Sequence, residues 1–165
     1  MKKTIALIGF LAITYLVNAQ TTELPYHPEA DANQQLAQAQ IQAMTQNKHI
    51  LVFIGGNWCP WCRKLDAFVH QNDSIYKRLT DNYIVVKLNY SKEQKNDETL
   101  SELQFPQRFG FPVLVVLDAK GKRLHTQNSA YLEQKDSYSP EGIYDFLKAW
   151  TPAAINPQTY KQTKP

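Results

Sequence analysis

Residues 49–66 read HILVFIGGNWCPWCRKLD, and their order decides the fold. Five consecutive apolar side chains, Ile50 to Ile54, closed by Gly55 and Gly56, suit a strand buried on both faces, because a strand with one wet face would alternate. The chain's two cysteines, Cys59 and Cys62, stand at the end of that strand. After Pro60 there is no helix breaker, and Leu65, Phe68 and Val69 recur at helical spacing, so a helix is expected to begin at the cysteines. With Cys59 as N-cap, Pro60 takes the first helical position, where its fixed φ fits and its missing N–H costs nothing. A sulfur at the cap can accept hydrogen bonds from the N–H groups of Trp61 and Cys62, and it meets the positive end of the helix dipole. Both effects favour thiolate over thiol, and such settings lower a cysteine from about 8.5 to between about 3.5 and 7.5. The three-residue spacing keeps the second sulfur close enough to close a disulfide. Cys59 is expected to attack and Cys62, the deeper of the two, to resolve.

Other chemistry is open to a cysteine pair. Structural zinc generally takes four ligands as two separated pairs, and there is no second CxxC and no closely spaced pair among His27, His49, His70 and His125. No metal is therefore expected. A copper carrier would use two soft thiolates, with His70 as the nearest third ligand, two helical turns beyond Cys62. An inert buried pair is the plainest alternative, although inert cysteines need neither two glycines nor a helix start.

Outward from this stretch the chain alternates in character. Upstream, the Ala- and Gln-rich run 30–48 places Leu36, Ala39, Ala43 and Met44 near helical spacing, with Asp31 as a candidate cap. Downstream come a short helix over SIYKRLTDN, a strand from Tyr83 to Tyr90, and a polar connection over 91–107 with one helical turn around Leu100 and Leu103. Val113 to Leu117, a turn through Asp118 to Gly121, and a return strand at Arg123 to Thr126 predict a hairpin. Ser139 suits an N-cap and Pro140 a first helical position for a last helix with Ile143, Phe146, Leu147 and Trp150 on one stripe. These elements predict an α/β domain over residues 30–150, a mixed sheet with helices on both faces, followed by a flexible tail over 151–165.

The 165 residues suffice for one domain with a real core. Residues 1–19, MKKTIALIGFLAITYLVNA, have a basic start, an apolar run too short to span a bilayer and a small-residue exit, which predicts a signal peptide cleaved before Gln20. Residues 20–29 then form an N-terminal segment. The protein is expected to be exported, in the periplasm or secreted, with no membrane association after cleavage. Without Lys2 and Lys3 the formal charge of +3 falls close to neutrality. No basic cluster remains that would follow a phosphate backbone, so nucleic acid is not expected as a partner. In an oxidising compartment the cysteine pair can form a disulfide.

WCPWC after an apolar strand, VVKLN in the next strand and the proline-led GFPVLVVLDAKGK together resemble the thioredoxin superfamily, in particular its small exported thioredoxin-like or disulfide-isomerase-like members. The resemblance runs over about residues 30–150. It implies a thioredoxin fold, a nucleophile at Cys59, a resolving thiol at Cys62, and a cis peptide bond between Phe111 and Pro112 beside them. Trp58, Pro60, Trp61 and Phe111 would then surround the sulfurs with apolar area for a thiol-bearing client, Trp58 being equally open to core packing. The expected activity is thiol-disulfide exchange with protein substrates, with a separate upstream redox protein, no bound cofactor, and reductase, oxidase or isomerase direction unassigned. The rival is a thioredoxin-fold binding module, such as a copper chaperone or a redox-inert adaptor. Only about ten residues separate the leader from the first helix, which argues against a dimeric isomerase and for a monomer.

The sequence also departs from the family. Phe53 stands where thioredoxins carry a buried aspartate near the resolving sulfur, so Lys87, matching its usual partner, must turn to solvent or find another carboxylate. Asp66, one turn beyond Cys62, is a candidate proton acceptor for the resolving thiol. Its plainer reading, a solvated helix residue, is favoured because most helical aspartates are exposed.

Overall fold

The structure, a computed structural model, describes residues 24–161. The signal peptide expected over 1–19 lies outside the described residues. Among the described residues no helix is long and apolar enough to cross a membrane.

Helix α1, Ala32–Gln46, is capped by Asp31, whose side chain accepts from the Gln34 N–H at 3.0 Å. It ends at Asn47 in the left-handed region. Strand β1, His49–Gly55, follows and is buried along its whole length. Helix α2, Pro60–Gln71, runs into α3, Asp73–Asn82, and then into β2, Tyr83–Asn89. A short α4, Asp97–Glu102, and a 3-10 turn at Pro106–Phe109 lead to β3, Val113–Leu117. Strand β4, Arg123–Asn128, returns beside it. The turn between them is built by Asp118, whose Oδ1 accepts from the N–H groups of Lys120 and Lys122, both at 2.9 Å. Gly121 completes that turn at φ +86°, a conformation that a side chain resists.

The main sheet has the order β2-β1-β3-β4, with β1 and β2 parallel and the other pairs antiparallel. Strand alternation sorts the apolar run of β1 between two cores. Ile50, Val52 and Ile54 face Leu36, Ala39 and Ala43 of α1 and Leu100 of α4. Leu51 and Phe53 face Leu65 and Val69 of α2, Ile75 and Leu79 of α3, and Ile143, Phe146 and Leu147 of α5, Pro140–Ala149. The central strand thus has no polar side, which is why its sequence shows no alternation. The small alanines let α1 lie close on the sheet, while Met44, expected on that face, points outward and is exposed.

Two features were not anticipated. A hairpin of β5, Glu133–Gln134, and β6, Ser137–Tyr138, turns through Lys135 at φ +54°. It braces α2, because Tyr138 donates to the Trp61 carbonyl at 3.2 Å and Lys64 Nζ donates to the Asp136 carbonyl at 2.5 Å. Of the flexible tail expected over 151–165, the described part, residues 151–161, carries local structure. Thr151 is buried and its hydroxyl accepts from the Ala154 N–H, and a further helix, α6, covers Pro157–Lys161 with nothing buried.

Candidate functional site

The site sits where the carboxyl end of β1 meets the amino end of α2. Cys59 has extended N-cap geometry, Pro60 opens the helix, and the Cys62 N–H donates to Cys59 Sγ at 3.2 Å. Of the two amides expected to reach that sulfur, the structure gives Cys62's. The two cysteines form a disulfide with their Cα atoms 5.2 Å apart. Cys62 is the more buried, at 1% exposure against 4% for Cys59, so the order is as expected but the margin is narrow.

The margin is narrow because aromatic rings close over both sulfurs. Phe111 packs against the cysteine pair, its carbonyl oxygen lies 3.7 Å from Cys59 Sγ, and the Phe111–Pro112 peptide bond is cis. Trp58 meets Phe111 edge-on at 5.6 Å, and Tyr90 stacks on Phe111 at 4.7 Å. The Trp58 indole N–H donates to the Tyr90 carbonyl at 2.6 Å. Core packing does not hold for Trp58, which is 55% exposed and fixed as a ledge beside the disulfide. Trp61 is half-buried, edge-on to Tyr138 at 5.4 Å, with the Lys64 ammonium 4.4 Å above its ring.

Gly55 explains itself here. A Cβ at that position would collide with Cys62 Sγ, so only glycine lets the strand end pass behind the disulfide. Alanine normally improves a strand relative to glycine. At this position the overpacking wins, and Gly55→Ala is expected to destabilise the oxidised protein by about 2 kcal/mol. Urea denaturation reads the effect, and an unchanged midpoint would mean that the sulfur yields freely.

The Asp66 reading is corrected by the structure. Asp66 is not a freely solvated helix residue: its Oδ1 lies 2.6 Å from Lys87 Nζ, with the two side chains 21% and 18% exposed. Lys87 thus takes the second of its two courses and finds another carboxylate. Its ammonium also rests 3.8 Å over the ring of Phe53, the residue that stands where the strand aspartate was missing. The carboxylate has moved from the strand to the helix. Burial pulls the Lys87 ammonium below its usual range, while the charge and hydrogen bond of Asp66 act in the opposite direction.

Tyr26 is the site residue that sequence reasoning missed. It belongs to the same buried cluster as Cys59 and Cys62, and its backbone is joined to Asn57 twice. The Tyr26 N–H donates to Asn57 Oδ1 at 3.1 Å, and Asn57 Nδ2 donates to the Tyr26 carbonyl at 2.7 Å. Burial pushes its hydroxyl well above the usual tyrosine range, and the Asp66 charge adds to this. A lone tyrosine in a proline-flanked segment carries no periodic signal that would have placed it here.

Among the described residues no group of three or more His, Cys, Asp or Glu is arranged to hold a metal ion. His70 is exposed, with Nδ1 2.8 Å from the Asp66 carbonyl and its ring 5.2 Å from that of Tyr76.

A sequence model described as thioredoxin-like matches residues 31–119. No curated protein matches the chain in sequence. Among solved structures, a disulphide isomerase from Xylella fastidiosa Temecula1 is 31% identical, with a TM-score of 0.68, covering 77% of this chain and 96% of that one. The oxidised C-terminal domain of Neisseria meningitidis DsbD is 14% identical, with a TM-score of 0.52, covering 72% of this chain and 96% of that one. At that identity the second likeness concerns the fold alone.

Proposed function

This chain belongs to the thioredoxin-like family, and from that premise we propose that it is an exported thiol-disulfide oxidoreductase acting on protein substrates through a mixed disulfide at Cys59. The observation that carries the reading is the disulfide closed across the first turn of α2, with Cys59 at the cap. In the oxidising direction a client thiolate attacks Cys59 Sγ, the Cys59–Cys62 bond breaks, and Cys62 leaves as a thiolate that takes up a proton. A second client thiol, losing its proton, then displaces Cys59 and leaves the client with a disulfide and the protein with two thiols. Reversal of the same steps reduces a client, and the two halves in succession shuffle one.

The likeness to a disulphide isomerase supports this family of reactions. Trp58, Pro60, Trp61, Phe111 and Pro112 form the apolar margin that receives the client beside the sulfur. Electrons are held in the cysteine pair itself, so no bound cofactor is required, and a separate redox protein resets the couple. The Asp66–Lys87 pair, one helical turn behind Cys62, supports proton transfer as the resolving thiol reacts. The protein works as a monomer in the periplasm or outside the cell.

Equilibration with glutathione buffers tests the proposal. The couple should settle at a defined potential within the span of about −270 to −120 mV covered by CxxC oxidoreductases. The value assigns the direction. A protein that binds Cu(I) stoichiometrically and fails to exchange with glutathione would instead be a metal carrier.

A further inference from the structure

Tyr26 brings a hydroxyl into the sulfur cluster that the exchange steps above leave without a task. Its ring is 2% exposed, and the hydroxyl is buried with no hydrogen-bond partner among the described residues. A side chain starting at Gly55 would strike Cys62 Sγ and come within 3.1 Å of the Tyr26 hydroxyl. Sulfur and hydroxyl therefore both lie against the bare Cα of Gly55, in the same corner of the cluster. Asp66 is the nearby anion, but it is engaged by Lys87.

A buried donor without an acceptor is unfavourable, and the structure shows it in the disulfide state. A disulfide sulfur is a poor acceptor: it is neutral and fixed by two covalent bonds. Reduction changes that. Two thiols of a reductant such as glutathione are oxidised to one disulfide, the Cys59–Cys62 bond breaks, and each cysteine sulfur ends with a proton. Cys62 Sγ is then free of Cys59 and, as thiol or thiolate, accepts a hydrogen bond better than before. We propose that Tyr26 is a positioning residue for the redox couple, its hydroxyl donating to Cys62 Sγ once the disulfide opens and so favouring the dithiol form. The proposal rests on the reading of Cys59 and Cys62 as an exchanging pair. Because its ionisation is suppressed by burial, the phenol remains a donor at physiological pH.

Tyr26→Phe removes the hydroxyl and keeps the ring. In glutathione buffers the variant should hold its disulfide more strongly than wild type, by roughly three- to tenfold in the exchange constant, which is about 15 to 30 mV towards a more negative potential. Equal potentials, or a shift towards the dithiol, overturn the inference. A wild type that does not exchange with glutathione overturns the oxidoreductase reading and this inference with it. Urea midpoints of the oxidised and reduced forms give a second readout. Tyr26→Phe should shift the difference between the two midpoints in favour of the oxidised form, whereas an equal fall in both forms shows a packing role only and overturns the proposal.

Discussion

Cys62→Ser is expected to collect client proteins as mixed disulfides on non-reducing gels, and Cys59→Ser to collect at least about tenfold fewer, with turnover lost in both. Exposure does not account for this asymmetry, since both residues are buried. It comes from the helix start. Cys59 Sγ occupies the cap, where the Cys62 N–H points at it and the helix dipole favours a negative charge. Cys62 Sγ faces inward, against the end of β1 and Tyr26. Replacing Cys62 leaves the attacking thiol in place and removes the group that would release the client. Comparable trapping by the two variants would remove the assigned roles.

Asp66→Asn is expected to cost about 2 kcal/mol at neutral pH, a partly exposed instance of breaking a buried ion pair. The neutral amide can still accept one hydrogen bond, but it leaves the Lys87 ammonium desolvated over Phe53 without a counter-charge. The pH dependence separates this cause from simple misfit. Lys87 in the folded protein loses its proton below its ordinary 10.5, so between the lowered value and 10.5 the unfolded chain holds more protons and stability rises with pH. Removing Asp66 removes both influences that raise the Lys87 value, so this rise begins at a lower pH and is larger. The deficit of the variant should therefore shrink from about pH 7 to about pH 9.5. Urea midpoints across that range decide, with parallel curves counting against the argument. Measurements should stop below the ordinary tyrosine value of 10.0. Above it, the raised values of Tyr26, Tyr83 and Tyr138 make stability fall with pH and mask the lysine. Lys87→Met in the Asp66→Asn background should restore most of the loss, because the apolar stem can keep its place on Phe53. Because the pair also supports proton transfer at the resolving thiol in the proposed reaction, mixed disulfides in the single variant should resolve about tenfold more slowly, and an unchanged rate would remove that role.

What could be read beforehand was local and periodic. The apolar run Ile50 to Ile54, the caps at Asp31, Cys59 and Ser139, and the turn at Asp118 to Gly121 each declare themselves within a few residues, and the structure forms all of them. Contacts between distant segments were hidden. Lys87 was known to need a carboxylate, yet nothing in the spacing of α2 and β2 showed that Asp66 would supply it. Tyr26 meets Asn57 across 31 positions, a separation at which no hydrophobic period survives. The β5–β6 hairpin has two residues in each strand, too few for alternation to be visible. Met44 shows the opposite error, for helical spacing alone put it on a face that the alanines already fill.

The clip between Tyr26 and Asn57 ties one wall of the sulfur cluster to a stretch that the sheet does not need. Tyr26 precedes α1, and no strand among the described residues pairs with its segment. A protease cutting between Tyr26 and Asp31 would spare both cores while removing one wall of the sulfur cluster. As a chain emerges amino end first, that wall is also made before the cysteines it will cover and has to wait for them. A cut in that segment is therefore a route by which such a protein can be retuned, with both cysteines and every strand and helix of the described residues left in place.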